Sequence, residues 1–260
     1  MSTETGCNYR LRNNGYFYFM KKYLSYLLLI LLSVSYSLHA QTSETLNDLS
    51  LTYLARVPAI QNTKTPVVIL LHGYGSNEQD LFGLQNFFPS NYILLSARAP
   101  YAIGTGGYQW FERQMVNGKF SGRMEDIDNS RKSILKFVTE VVKKYNADAS
   151  NVYLVGFSQG AMMCYETGLI APGIVKGIGV LSGRLSEPLR TALKPNSNFS
   201  KLKIFIAHGT ADSRISYAEG KAAFDILSAL SLKPEFHTYQ GMDHTITNEV
   251  MADLLNWLKK

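Results

Sequence analysis

Two cysteines, Cys7 and Cys164, are all that this chain of 260 residues carries. Cys7 lies in a segment expected to be lost on export, so no internal disulfide can form even in an oxidising compartment. The remaining Cys164 is expected to be a small buried hydrophobe. No His, Cys or Glu spacing of a zinc site occurs, so no metal is implied. Long basic runs are missing as well. The 26 basic and 20 acidic residues give a formal charge of +6, but Arg10, Arg12, Lys21 and Lys22 stand against Glu4 in residues 1–40. Beyond them 22 basic residues face 19 acidic ones, with no Lys/Arg run longer than two. Such a balance argues against a nucleic-acid partner. Internal repeats, low-complexity tracts and linkers are absent. Gly104, Gly106 and Gly107 lack the third glycine and the preceding strand of a dinucleotide fingerprint. No cofactor is implied.

What is present begins with Lys21-Lys22, followed by an apolar stretch from Tyr23 to Leu38 and then His39-Ala40-Gln41. Charged region, Leu28–Leu32 heart and small Ala40 stand in the order of a secretory signal peptide. The stretch is short and serine-interrupted for a stable transmembrane helix, although an uncleaved anchor is the alternative. Met20, directly before the lysines, is the expected true start. The reading is an extension plus signal peptide over 1–40 and a single domain over 41–260. The mature protein is expected to be periplasmic or secreted, without a membrane span, as a monomer or homodimer.

Within that domain, Leu49 to Val57 alternate as an early half-exposed strand, and Val67–Leu71 are continuously apolar, as in a strand buried on both faces. Asn77 is a plausible cap for a helix over 78–87. Tyr92–Leu95 predicts the next strand, and 98–124, rich in Gly and aromatics, predicts a long irregular loop. Asp126 or Asp128 can cap a helix carrying Ile127, Ile134, Phe137, Val138, Val141 and Tyr145. Strands are expected at 152–155, 174–181, 202–207 and 235–239, with helices after 160 and over 217–230 and 248–258. Alternation of this kind argues for a mostly parallel twisted sheet with helices on both faces. No insertion is long enough to be a separate cap domain.

Gly156-Phe157-Ser158-Gln159-Gly160 stands between the strand Val152–Val155 and a helix-forming segment. About one chain in ten of this length has a G-x-S-x-G by chance, so the strand before and helix behind carry the inference. They are the setting of a nucleophile elbow, where glycines let strand and helix approach around a strained serine. A serine nucleophile needs a base, and the base needs an acid to fix its tautomer. His39 leaves with the signal, His72 sits in a glycine loop, His208 ends a strand and His237 lies inside one. His244, after the last strand, is the expected base, and Asp212, after the strand ending near Ala207, the expected acid. Asp243 is poorly placed to reach round to its neighbour's ring. An oxyanion hole would use the backbone N–H groups of Gln159 and Tyr74, and because these are main-chain donors the side chains of both are expected to vary without loss of the function.

These stretches resemble the phospholipase/carboxylesterase family of α/β-hydrolases, which includes acyl-protein thioesterases and small bacterial carboxylesterases. The matching segments are L-H-G-Y-G at Leu71–Gly75, A-R-A-P at Ala97–Pro100, G-Y-Q-W-F at Gly107–Phe111 and G-F-S-Q-G-A-M at Gly156–Met162. L-S-G-R-L at Leu181–Leu185, H-G-T-A-D at His208–Asp212 and Y-Q-G-M-D-H at Tyr239–His244 complete the set. The resemblance implies an α/β-hydrolase fold, the triad Ser158, Asp212 and His244, the oxyanion donors Tyr74 and Gln159, and hydrolysis of esters or thioesters without a cofactor. Tyr108, Trp110 and Ile215 are candidates to line the substrate pocket. The expected activity is a serine carboxylesterase acting on a small or lipid-like ester, with short-to-medium acyl groups. A thioesterase or lysophospholipase, and a feruloyl or acetyl esterase on acylated polysaccharide, share the same residues. A binding module on a dead hydrolase scaffold would show a damaged triad, and this one is intact.

Overall fold

The run Val67–Leu71 offers no polar face, and in the computed structural model of the chain each of its residues is buried. The structure describes residues 44–61, 64–116 and 119–260, and the expected signal peptide lies outside them. These residues belong to one compact unit, Ser43–Lys260. The strands of its main sheet are β1 (Tyr53–Arg56), β2 (Val67–Leu71), β3 (Ile93–Ala97), β8 (Val152–Phe157), β9 (Gly177–Leu181), β10 (Lys203–Gly209) and β11 (Glu235–Tyr239). Their spatial order is β1-β3-β2-β8-β9-β10-β11. Only β1 runs antiparallel, pairing Tyr53 with Ala97; the other pairings are parallel. From β2 the chain steps outward to β3, then crosses back to β8 on the other flank and continues outward. The crevice between β2 and β8 is therefore the topological switch point, where open α/β sheets bind ligands beyond their strands' carboxyl ends.

Period-2 alternation divides the sheet's side chains between two cores. Val67, Ile69, Leu71, Leu154, Ile178 and Val180 face the helices α2 (Met124–Lys144), α3 (Gln159–Ile170) and α5 (Tyr217–Ala229). Val68, Leu70, Tyr153, Val155 and Phe205 face α1 (Glu78–Phe82) and α6 (Asn248–Leu258). Helices on both faces of a mostly parallel sheet are the architecture expected of an α/β-hydrolase fold. Among the described residues no helix is long and apolar enough to cross a membrane. Cys164 is fully buried, and burial pushes its thiol pKa up.

Several expectations are corrected. The strand expected from Leu49 is paired only over Tyr53–Arg56, and the one expected from Ile174 begins at Gly177. The helix expected over 78–87 ends at Phe82, because the Gly83 N–H closes onto Gln79 and Asp80 and the chain tightens into a 3-10 turn at Gln85–Phe87. Asn77 does cap it, accepting from Gln79 N–H. The loop 98–124 is not irregular: it holds two hairpins, β4 (Tyr101–Ile103) with β5 (Gly107–Gln109) and β6 (Arg113–Val116) with β7 (Lys119–Gly122). Neither Asp126 nor Asp128 caps α2, which starts at Met124. Asp126 instead takes the Glu112 N–H and pairs with Arg123, while Asp128 pairs with Arg131. A short helix, α4 (Glu187–Ala192), lies in a segment where none was expected.

Candidate active site

Ser158 follows β8 directly and holds φ 55°, ψ −112°, a left-handed strain of about 1–3 kcal/mol for a residue with a Cβ. The surrounding contacts pay that cost. Its N–H donates to the Leu181 carbonyl of β9 at 2.9 Å and its carbonyl accepts from Met162 N–H at 3.1 Å. A Cβ at Gly156 would lie 2.3 Å from the Gly160 carbonyl, and one at Gly160 would lie 2.0 Å from the Leu71 oxygen. Two glycines are therefore obligatory at the elbow for steric reasons.

After β2, the loop His72–Gly75 lies against the serine: a Cβ at Gly73 would stand 3.5 Å from the Ser158 Cβ. His72 is fully buried and braces this loop. Its Nδ1–H donates to the Gly73 carbonyl at 2.7 Å and its Nε2 accepts the Ala99 N–H at 3.0 Å. A carbonyl only accepts and an amide only donates, so the neutral tautomer is fixed, and burial lowers the pKa in the same sense. Tyr74, whose backbone was expected to serve the oxyanion, is half exposed, with the Arg113 guanidinium stacked 3.6 Å from its ring centroid.

One expectation about this region is corrected. Trp110 does not line a pocket: it is fully buried, donating from Nε1 to the His72 carbonyl at 2.9 Å. The Gln159 side chain, by contrast, is engaged. Its Oε1 accepts the Trp110 N–H and its Nε2 donates to the Phe111 carbonyl, both at 2.8 Å. Buried and fully bonded, it ties the aromatic segment to the first turn of α3. Tyr108 is half-buried, its ring under the Arg98 guanidinium (4.6 Å) and its hydroxyl accepting from Arg98. Arg98 in turn makes a two-pronged pair with buried Glu78.

Asp212 and His244 come together as expected from the loops after β10 and β11. His244 Nδ1 lies 2.9 and 3.0 Å from the two oxygens of the Asp212 carboxylate. Asp212 also accepts the N–H groups of Ile215 (2.9 Å) and Arg214 (3.0 Å). Burial alone would raise its pKa, but these amides and the imidazole outweigh it, and the net shift is downward. The imidazole packs on Phe157, the residue before the serine, with ring centroids 4.8 Å apart. Ile215 is half-buried, and it is its backbone that is engaged: N–H to Asp212 and carbonyl to His208 Nε2–H at 2.8 Å.

The other histidines are placed elsewhere. Buried His208 approaches the far side of Asp212, 3.5 Å from Oδ2, while His237 pairs with Asp253 and Glu235. Asp243 does not reach the ring of His244. Its Oδ1 accepts from Ser213 N–H, Ser213 Oγ–H and the His244 N–H, a role that sequence reasoning missed. The only sequence signal was an Asp beside the histidine and a Ser beside the acid.

A family model described as phospholipase/carboxylesterase matches residues 54–260. Acyl-protein thioesterase 1 of Debaryomyces hansenii is 26% identical over 220 residues, 78% of this chain and 94% of that protein. The probable carboxylesterase SOBER1-like of Arabidopsis thaliana is 28% identical over 205 residues, 74% of this chain and 78% of its own length. Among solved structures, esterase PE8 superposes with a TM-score of 0.68 at 28% identity, covering 82% of this chain and 99% of that one. The Bacillus cereus carboxylesterase gives a TM-score of 0.69 at 26% identity, covering 80% and 93%.

Proposed function

The chain belongs to the phospholipase/carboxylesterase family of ester hydrolases, and on that premise we propose that it is an exported serine carboxylesterase working through an acyl-enzyme. The observation that carries the reading is the Asp212 carboxylate on His244 Nδ1, both oxygens within 3.0 Å. With Nδ1–H held, Nε2 is the ring atom that can take a proton. In this reading Nε2 removes the Ser158 hydroxyl proton as Oγ attacks the ester carbonyl. The tetrahedral oxyanion rests on the N–H groups of Tyr74 and Gln159, each such donor typically contributing about 3–4 kcal/mol. His244 then protonates the departing alkoxide, and water, deprotonated by the same nitrogen, releases the acid and restores Ser158. Tyr108 and Ile215 are the residues proposed to reach the pocket rim. Export follows from the segment Met20–Ala40, and the amino terminus of protein recovered from the medium or periplasm tests it.

Thioester hydrolysis is the second reading, favoured by the match to relatives named acyl-protein thioesterase. The same Ser158 would serve it. The test is hydrolysis of p-nitrophenyl esters from acetate to palmitate, p-nitrophenyl ferulate and an acyl-thioester, by the chain from Gln41 and by Ser158→Ala. Turnover that disappears in the variant is expected. An alanine variant as active as the parent would overturn the assignment, and thioester turnover far above ester turnover would favour the second reading.

A further inference from the structure

Asp212 and His244 stand on separate loops, each outside any helix or strand. Their spacing depends on what joins those loops. Next to the sheet the links are main-chain ones: Thr210 N–H to the Tyr239 carbonyl at 3.0 Å and Ala211 N–H to the Met242 carbonyl at 3.1 Å. Gly209 allows that approach, since a Cβ there would lie 2.1 Å from the Met242 oxygen. Thr210 Oγ1 adds a bond from Gly241 N–H at 2.8 Å. All of these lie before Asp212 in the acid loop and before His244 in the base loop.

Beyond Asp212 the join is made by a side chain. The single atom Asp243 Oδ1 accepts Ser213 N–H at 2.8 Å, Ser213 Oγ–H at 2.7 Å and the His244 N–H at 2.7 Å. The residue after the acid and the backbone of the base are thus hung on one oxygen. Asp212 is then tied on both sides, through Ala211 and through Ser213, to the loop that carries His244. The Ser213 N–H, the Ser213 hydroxyl and the His244 N–H together hold the Asp243 carboxyl at a pKa of about 2.

Resting on the triad reading, we propose that Asp243 is a positioning residue for hydrolysis, fixing where the imidazole of His244 stands relative to Asp212 and Ser158. Asp243 is exposed, so water can satisfy Ser213 and His244 N–H when its carboxylate is removed. The fold therefore loses little, and the loss falls on geometry. Misplacement of a reacting group by 1 Å can cost about 100-fold in rate.

The test compares Asp243→Ala, Asp243→Asn and Ser213→Ala with the parent, using steady-state kinetics on the best p-nitrophenyl ester and thermal unfolding. For Asp243→Ala, kcat is expected to fall by about 100-fold, with KM and Tm near the parent's. Asp243→Asn keeps an acceptor oxygen in place and should recover most of the loss. Ser213→Ala keeps the amide arm and should fall between. Parent-like kcat in Asp243→Ala overturns the proposal, as does an asparagine variant no better than alanine, or a loss tracked in full by a fall in Tm. Ser158→Ala and Asp212→Asn run alongside. If they retain turnover, the triad reading fails and the proposal with it; if they are inactive while Asp243→Ala is unimpaired, the positioning role alone fails.

Discussion

Gly160 meets Leu71 so closely that a methyl group added to it would lie 2.0 Å from the Leu71 carbonyl oxygen. The first turn of α3 is thereby pressed onto the end of β2. Gly160→Ala must push helix from strand or bend both, and overpacking of a rigid contact costs about 1–3 kcal/mol, occasionally more. We expect a loss at or above the top of that range, seen as a lower Tm, together with loss of ester hydrolysis. An alanine variant as stable as the parent would refute so close a contact between α3 and β2.

Asp212→Asn tests the acid role proposed for Asp212 separately from the role proposed for Ser158. The amide can keep the Ile215 and Arg214 N–H bonds through its oxygen, so folding should change little. It can also present an N–H to the imidazole and stabilise the wrong tautomer. In a triad that substitution lowers kcat by about 10⁴-fold, and the same order is expected here from single-substrate kinetics.

Gln159 distinguishes a side-chain role from a main-chain one. Gln159→Ala leaves the Trp110 N–H and the Phe111 carbonyl without their buried partners, each worth about 1–3 kcal/mol when left unsatisfied. Gln159→Glu keeps the acceptor but turns an oxygen toward the Phe111 carbonyl. At neutral pH the expected order of Tm is parent, then alanine, then glutamate. Equal Tm values in all three would show that the clamp contributes nothing.

A pH dependence is expected from Glu166. This side chain is buried, and burial raises its pKa above 4.5 despite the Ser186 hydroxyl on Oε1 and Arg131 near Oε2. Below about pH 4.5 folded and unfolded chains both hold the proton, and this group adds no slope. As pH rises the unfolded chain releases its proton first, so stability falls until the folded carboxyl ionises as well. Glu166→Gln removes that slope. Thermal unfolding should show the variant gaining on the parent as pH rises through this window; a difference constant with pH would refute it.

Much of the site could be read from sequence because its parts follow buried strands. Val152–Val155 before Ser158, the run ending at Ala207 before Asp212, and Tyr239 before His244 each mark a strand end by local pattern alone. Local pattern did not reveal partners distant in sequence. Gln159 reads as an ordinary helix-forming residue until the main chain at Trp110 and Phe111 is brought to it, and Asp243 as an ordinary turn residue until Ser213 arrives. Trp110 was misplaced for the same reason, since an aromatic in a glycine-rich stretch carries no sign of which way it faces. The hairpins in 98–124 escaped because strands of three or four residues hold too few alternations to show a period. Likewise α4, with six residues, is under two turns long.

The parallel pairing of β2 with β8 sets Val67 opposite Val152, closing a long loop of chain before the crevice between those strands exists. The loops carrying Asp212 and His244 wait on β10 and β11, later still in the sequence. Contacts so distant along the chain form slowly, because the entropy of closing the loop is lost before the contact rewards it. Recovery of ester turnover after dilution from denaturant should therefore lag behind the return of helical signal, making activity a clock for the last step of folding.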